Sequence, residues 1–173
     1  MEVIELRSEA ELGEAFPVVR ELHGGLDRRT YEELLAEMVP NGYRMFAVRN
    51  GGGVAAVAGV QVLTNLYYER HLYVYDLVAT ADARSKGQGA ALMEHLERFA
   101  RTEGCKYVAL ACGREREDAL RFYERMGFER PGFSMRKAVS RPVPAPTGPA
   151  RRRRLVRYAG PGWSSASRRR ASG

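Results

Sequence analysis

Residues 73–101 read YVYDLVATADARSKGQGAALMEHLERFAR. The stretch opens as an apolar run of strand character and passes through a polar turn holding Gly87 and Gly89. It then becomes an amphipathic helix with Leu92, Met93, Leu96, Phe99 and Ala100 on one stripe. A strand that feeds a helix through a glycine-rich basic turn is a device for holding phosphate. The first N–H groups of such a helix lack intrahelical partners and carry partial positive charge. Glycine lets an anion approach the backbone, and Arg84 and Lys86 add formal charge beside it.

Working outward toward the N-terminus, the strand is expected over His71–Ala79. Before it, RMFAVRN and VAAVAGVQVL, joined by three glycines, read as a β-hairpin. Val3–Leu6 reads as a short strand. Ser8 and Glu11 form a capping-box pattern at the head of a helix carrying Leu12, Phe16, Val19 and Leu22. Pro17 is expected to kink or split that helix, and Gly24-Gly25 to end it. Thr30, with Glu33 three residues on, is expected to cap a second helix that stops at Pro40-Asn41-Gly42.

Toward the C-terminus, the first helix-forming stretch is expected over 88–103 and CKYVALA (105–111) reads as a strand. Strand, crossover helix and strand imply a parallel pair with a right-handed connection. A last helix is expected at about 115–126, with Ala119, Phe122, Tyr123 and Met126 at helical spacing and Gly127 as its left-handed stop. Residues 128–137 are expected to add closing strands, interrupted at Pro131-Gly132. The fold class is α/β (α+β): a mixed central sheet of about six to seven strands, mostly antiparallel with one parallel βαβ pair, flanked by about four helices.

A chain of 173 residues can bury one ordinary core. The expected organisation is a folded domain over 1–137 and a tail over 138–173. The tail is rich in Pro, Gly, Ser and Arg and is expected to be disordered. The net charge is +7, but the nine arginines of the tail, with no acid among them, more than account for it. The domain itself is mildly acidic. No apolar run reaches the roughly 20 residues of a membrane span, and the acidic start MEVIELRSEAE has no signal core. Cys105 and Cys112 flank a strand that sets their Cα atoms about 23 Å apart, beyond the roughly 7 Å a disulfide tolerates. Two free thiols in a reducing cytoplasm are expected, and no metal site.

The pattern resembles the Gcn5-related N-acetyltransferases. Arg84-Ser85-Lys86-Gly87-Gln88-Gly89-Ala90 is similar to the family's acyl-CoA loop, and residues 119–128, ALRFYERMGF, are similar to its A-x-x-x-Y-x-x-x-G-F signature. The resemblance covers residues 71–137 and is nearest to bacterial members of the histone- or small-amine-acetyltransferase-like kind. A dinucleotide fold would need a third glycine where Leu92 stands and an acid at the end of the next strand, which reads Leu110-Ala111-Cys112. A phosphate-binding P-loop would need Gly-Lys-Ser/Thr, which is missing. Two positions depart from the family: Ala111 stands where many members carry an acid, and Arg116 where many carry Asn.

What the resemblance implies is transfer of an acetyl group from acetyl-CoA to a primary amine, by direct attack in a ternary complex. The diphosphate would rest on backbone N–H groups from Arg84 through Ser85, Lys86, Gly87, Gln88 and Gly89 to Ala90. The pantetheine would pair with strand backbone at Leu77, Val78 and Ala79; these residues are equally a plain β-core. A lysine-like amine of pKa about 10.4 is neutral in only ~1 part in 2,500 at pH 7, a deficit of about 4.6 kcal/mol, so a base or a water chain to one is worthwhile. Asp76, through a water relay, is the first candidate, and a hydrogen bond to a neighbouring loop is its structural alternative. Glu69 and His71 are the fallbacks. Tyr123 is the candidate acid or hydrogen-bond donor for the departing thiolate, with a core aromatic as its alternative. Cys112 reads as filler.

The acceptor is expected between the first two helices, where His23, Asp27, Arg28, Arg29 and Tyr31 cluster, and at the turn 130–134. Protein N-termini, lysines, polyamines, aminoglycosides and small amines all fit as acceptors. Many relatives pair as homodimers. The alternative function is a binding module that uses the basic tail, with Tyr158 and Trp163 among its arginines, to hold nucleic acid or an acidic partner. A solvated extension is the simpler reading of that tail.

Overall fold

The computed structural model describes residues 1–84, 86–132 and 134–137. One compact unit covers Met1–Ser134, and of the second, Met135–Gly173, only residues 135–137 are described. The expected disordered tail lies outside the described residues, as does Ser85.

The elements run β1 (Val3–Leu6), α1 (Glu9–Leu22), α2 (Arg28–Met38), β2 (Tyr43–Asn50), β3 (Gly53–Asn65), β4 (Glu69–Ala79), α3 (Gln88–Thr102), β5 (Tyr107–Leu110) and α4 (Glu117–Arg125). The five strands form one sheet in chain order. Neighbours from β1 to β4 are antiparallel, and β4 and β5 are parallel across the α3 crossover. No helix among the described residues is long and apolar enough to cross a membrane.

Strand alternation builds a core on each face of the sheet. Met45 and Ala47 of β2 pack with Leu12, Ala15, Val18 and Val19 of α1 and Leu35 of α2. Phe46 and Val48, one residue out of phase, pack with Leu92, Met93, Leu96 and Ala100 of α3. The β2–β3 hairpin turns at Gly51 and Gly52, whose φ angles of 58° and 89° lie where residues with a Cβ are strained.

Three expectations are corrected or refined, and one holds. The described residues form five strands, not six to seven: none of 128–132 or 134–137 is in a strand. There Glu129, Arg130, Pro131 and Gly132 are all exposed, and proline has no N–H to give a ladder. The cap of α2 is Asp27, not Thr30. Its carboxylate accepts from the Thr30 backbone N–H at 2.8 Å and from the Thr30 hydroxyl at 3.1 Å, so the helix starts earlier. The capping box at Ser8 and Glu11 is present. Pro17 does not split α1.

The reason lies in α2. Proline at 17 removes the N–H that would bond the carbonyl of Gly13 one turn back. Arg28 Nη1 donates to that carbonyl at 3.2 Å, and the Tyr31 hydroxyl donates to the neighbouring Leu12 carbonyl at 2.7 Å. A Cβ on residue 13 would lie 2.6 Å from Arg28 Nη2, so the glycine makes room for the guanidinium.

Candidate active site

The open edge of β4 positions the site. β5 pairs with β4 only from His71, opposite Tyr107, to Val74, opposite Leu110. Beyond Val74, β4 keeps β3 on one side and has no strand on the other among the described residues. Thr80 N–H donates to Ala55 O at 2.9 Å. Antiparallel alternation then turns the backbone of Val78 toward β3 and that of Leu77 and Ala79 toward the open edge. Arg84 Nε reaches the Ala79 carbonyl from that side, at 3.3 Å. The side chains are core: Val78 packs on the α1 face, and Leu77 and Ala79 on the α3 face. Side chains serve the core while the backbone groups face outward, so the two readings of this stretch are compatible.

The second part is the mouth of α3. Gly87 caps it with φ 89° and no side-chain cap hydrogen bond. The ladder begins with Ala91 N–H donating to Gly87 O at 2.9 Å, so the N–H groups of Gln88, Gly89 and Ala90 precede its first rung. Gln88 is 5% exposed, and its buried Oε1 has no hydrogen-bond partner among the described residues. At Gly89 a Cβ would meet the Phe122 ring at 3.5 Å, which brings α4 against the mouth. Lys86 is exposed beside it. Arg84 differs from expectation: its guanidinium is held by Glu21 of α1 at 2.7 Å, so its charge is shared between the turn and α1. A cavity of about 260 Å³ opens next to the turn, between Asn50, Thr80, Asp82 and Lys86.

The third part is Asp76, which sits where a bulge re-aims β4. Gly59 pairs with Asp76 but Val60 pairs with Val74, so Tyr75 is one residue more than β3 can match. A bulge places two successive side chains on one face. Tyr75 and Asp76 both meet Tyr43 there: the rings of Tyr75 and Tyr43 lie 6.1 Å apart, and the Tyr43 hydroxyl donates to Asp76 Oδ2 at 3.2 Å. His23 Nε2 lies 2.6 Å from Asp76 Oδ1. The Asp76 side chain is only 13% exposed, whereas that of His23 is 48% exposed. Burial and the adjacent Asp76 carboxylate raise the Tyr43 pKa far above the usual phenol range, so it stays a donor.

The other expected residues are elsewhere or otherwise engaged. Asp27 caps α2. Arg28 bonds Glu32 at 2.6 Å, and Arg29 bonds Glu33 at 2.8 Å. Tyr31 is buried, and burial lifts it to about 12. Of that cluster, His23 is the one with a hydrogen bond to Asp76. Glu69 pairs with Lys106 at 2.5 Å, and His71 is 1% exposed with Nδ1 3.0 Å from Glu69 O. Both fallback bases lie at the start of β4, five or more residues from Asp76, on the order of 16 Å or more of strand. Tyr43 escaped the sequence reading. It bonds Asp76 across 33 residues, and no local pattern announces such a pair.

Tyr123 lies on α4 with its ring 5.6 Å from that of Phe128. Its pKa is raised to about 12, first by burial and then by nearby Cys112, with Arg116 opposing. Full proton transfer from such a phenol to a thiolate of pKa about 8.5 is uphill by about 5 kcal/mol. Its chemical capacity is therefore donation of a hydrogen bond. Cys105 and Cys112 are free thiols. Among the described residues no group of three His, Cys, Asp or Glu side chains is placed to hold a metal ion.

Residues 9–128 match the family model described as Acetyltransferase (GNAT) family. The chain belongs to this family. It is 36% identical over 137 residues to a Bacillus subtilis (strain 168) protein named uncharacterized N-acetyltransferase YhdJ, an alignment spanning 78% of this chain and 96% of that one. This GNAT chain is accordingly an N-acetyltransferase. Its fold recurs in an aminoglycoside N-acetyltransferase in complex with CoA, with TM-score 0.71 and 13% identity over 79% of this chain and 93% of that one. It recurs also in glucosamine-6-phosphate N-acetyltransferase from Arabidopsis thaliana, with TM-score 0.64 and 19% identity over 80% of this chain and 98% of that one.

Proposed function

We propose that this GNAT chain moves an acetyl group from acetyl-CoA to a primary amine by direct attack in a ternary complex. The observation that carries the reading is the open β4 edge, with Asp76 near its start and the α3 mouth following its end. Acetyl-CoA supplies the activated acyl carbon and a thiolate leaving group. An extended pantetheine amide chain suits the outward backbone of Leu77 and Ala79 as an added strand would. The diphosphate suits the N–H groups of Gln88, Gly89 and Ala90, with Lys86 and Gly87 in the same turn. The N–H groups left open beyond the αL Gly87 are features such a ligand would use. Arg84 would let go of the Ala79 carbonyl as the chain enters, and it has Glu21 to retain it.

Asp76 anchors the proton path from the amine. Tyr123 donates a hydrogen bond to the sulfur as charge develops there. No enzyme nucleophile is required, because holding both reactants in one site supplies much of the rate. The test is a turnover screen with acetyl-CoA over a panel of primary amines, read by release of free thiol, beside a thermal-shift titration with CoA. Turnover with at least one amine and stabilisation by CoA are expected. No turnover across the panel together with no stabilisation overturns the reading.

A further inference from the structure

The proposed acetyl transfer leaves one question about the protons, and the hydrogen bonds around Asp76 bear on it. Asp76 is poorly placed to meet the amine itself. Its carboxylate is 13% exposed, and both oxygens are engaged, Oδ1 by His23 and Oδ2 by Tyr43. His23 is the half-exposed member of the set. An ionised carboxylate can only accept, so His23 Nε2 at 2.6 Å carries the hydrogen and Nδ1 is left as the basic nitrogen. The backbone of His23 is held from both sides. His23 N–H donates to Val19 O at 3.1 Å, ending α1, and Leu26 N–H donates to His23 O at 2.9 Å.

We propose that His23 is the catalytic base of this enzyme and that Asp76 is its positioning residue. The inference rests on the N-acetyltransferase reading above. The substrate ammonium loses one proton to solvent and attacks the acyl carbon. The new N–C bond forms and the C–S bond breaks. His23 Nδ1 takes the second proton from the nitrogen as the amide forms, and the thiolate leaves with a hydrogen bond from Tyr123 and takes up one proton from solvent. The imidazolium is held by the Asp76 carboxylate, and the C-terminal end of α1 favours positive charge. It then releases its proton to solvent, restoring the dyad. The net reaction delivers one acetyl group, one thiol and one proton.

Among the described residues, few charged and titratable groups lie near this dyad. On β4 they are Asp76 itself and Tyr75, whose pKa burial raises. On β2 it is Tyr43, raised well beyond the usual range. On α2 it is Tyr31 at about 12, with Arg28 and Glu32 paired to each other beside it. On α1 Glu21, two residues before His23, is paired with Arg84. The three phenols stay neutral through pH 9, so none of them supplies an ionisation below it.

The experiment measures kcat against pH for the full chain and for His23→Gln, His23→Ala and Asp76→Asn, with acetyl-CoA affinity followed in parallel by thermal shift. The wild type is expected to gain activity with rising pH in one step that belongs to the base. His23→Gln should lower kcat on the order of 10²-fold and abolish that step, with acetyl-CoA affinity unchanged. Added imidazole should restore part of the His23→Ala activity. Asp76→Asn should also lower kcat, because an amide can turn its N–H₂ toward the ring and fix the wrong tautomer. A folded His23→Gln protein with wild-type kcat and an unchanged pH step overturns the proposal while leaving the acetyl-transfer reading intact. A folded wild type that turns over no amine and is not stabilised by CoA overturns both.

Discussion

Gly59→Ala is the sharpest test of how the site is built. Gly59 lies opposite Asp76 across the β3–β4 bulge, and the Tyr43 ring crosses over it to reach the carboxylate. An alanine Cβ would lie 1.9 Å from the Tyr43 hydroxyl oxygen, 2.6 Å from its Cζ and 2.8 Å from Asp76 Oδ2. Real Cβ atoms keep at least 3.0 Å from such neighbours, so the phenol must retreat by about 1 Å or more. It cannot do so cheaply. Tyr43 is 4% exposed and packed in the α1 core. Overpacking of this kind costs about 1–3 kcal/mol, and for a domain of this size that lowers Tm by roughly 3–12 °C. The displaced hydroxyl also releases Asp76, so kcat should fall with little change in acetyl-CoA affinity. The assay pairs thermal melting with steady-state turnover for Gly59→Ala, Tyr43→Phe and the double variant. Tyr43→Phe alone loses one hydrogen bond, about 1 kcal/mol. In the double variant the shortest clash is gone, so its melting loss should be smaller than the sum of the two single losses. A Gly59→Ala protein with wild-type Tm and kcat would refute the packing argument.

Three further outcomes are expected. Tyr123→Phe should lower kcat about tenfold and leave acetyl-CoA affinity nearly intact; because the phenol is lifted to about 12, its contribution should not vary between pH 6 and 9, and an unchanged kcat rejects the donor role. Arg28→Ala should cost about 1–2 kcal/mol in denaturant unfolding by stranding the Gly13 carbonyl, and the loss should shrink in a Pro17→Ala background, where residue 17 regains the N–H that bonds it. Glu11 is pulled down to about 2, first by the Ser8 backbone N–H and then by that of Arg7. A lowered carboxylate stabilises the fold above its unfolded value near 4.5 and loses that contribution as pH falls through about 2. Glu11→Gln should therefore flatten the Tm profile between pH 5 and 2 and leave its upper limb in shape; equal acid limbs for both proteins count against the capping box.

Much of the frame was legible because it is written locally. The period of Leu92, Met93, Leu96 and Ala100 forecast the buried face of α3. The glycines at 51 and 52 forecast the hairpin, and Ser8 with Glu11 forecast the head of α1. Each signal needs only neighbours within four or so residues. The misreadings were local competitions. Asp27 and Thr30 are both good caps, and the carboxylate that accepts from two Thr30 donors prevails. In residues 128–132 apolar character is too sparse to hold a strand beside Pro131.

The sequence by itself determined the order of elements, the strand-to-helix turn around Gly87 and the family signature ending in Gly127-Phe128. It singled out Asp76 and Tyr123 as candidates by their place in that order. Only the tertiary structure decided how Asp76 is held. The bulge at Tyr75 is a mismatch between two strands, and neither strand shows it alone. His23 and Tyr43 reach the carboxylate across 53 and 33 residues. Such contacts depend on the summed geometry of a helix, a hairpin and a sheet register, and a one-residue slip in that register would turn Asp76 to the other face.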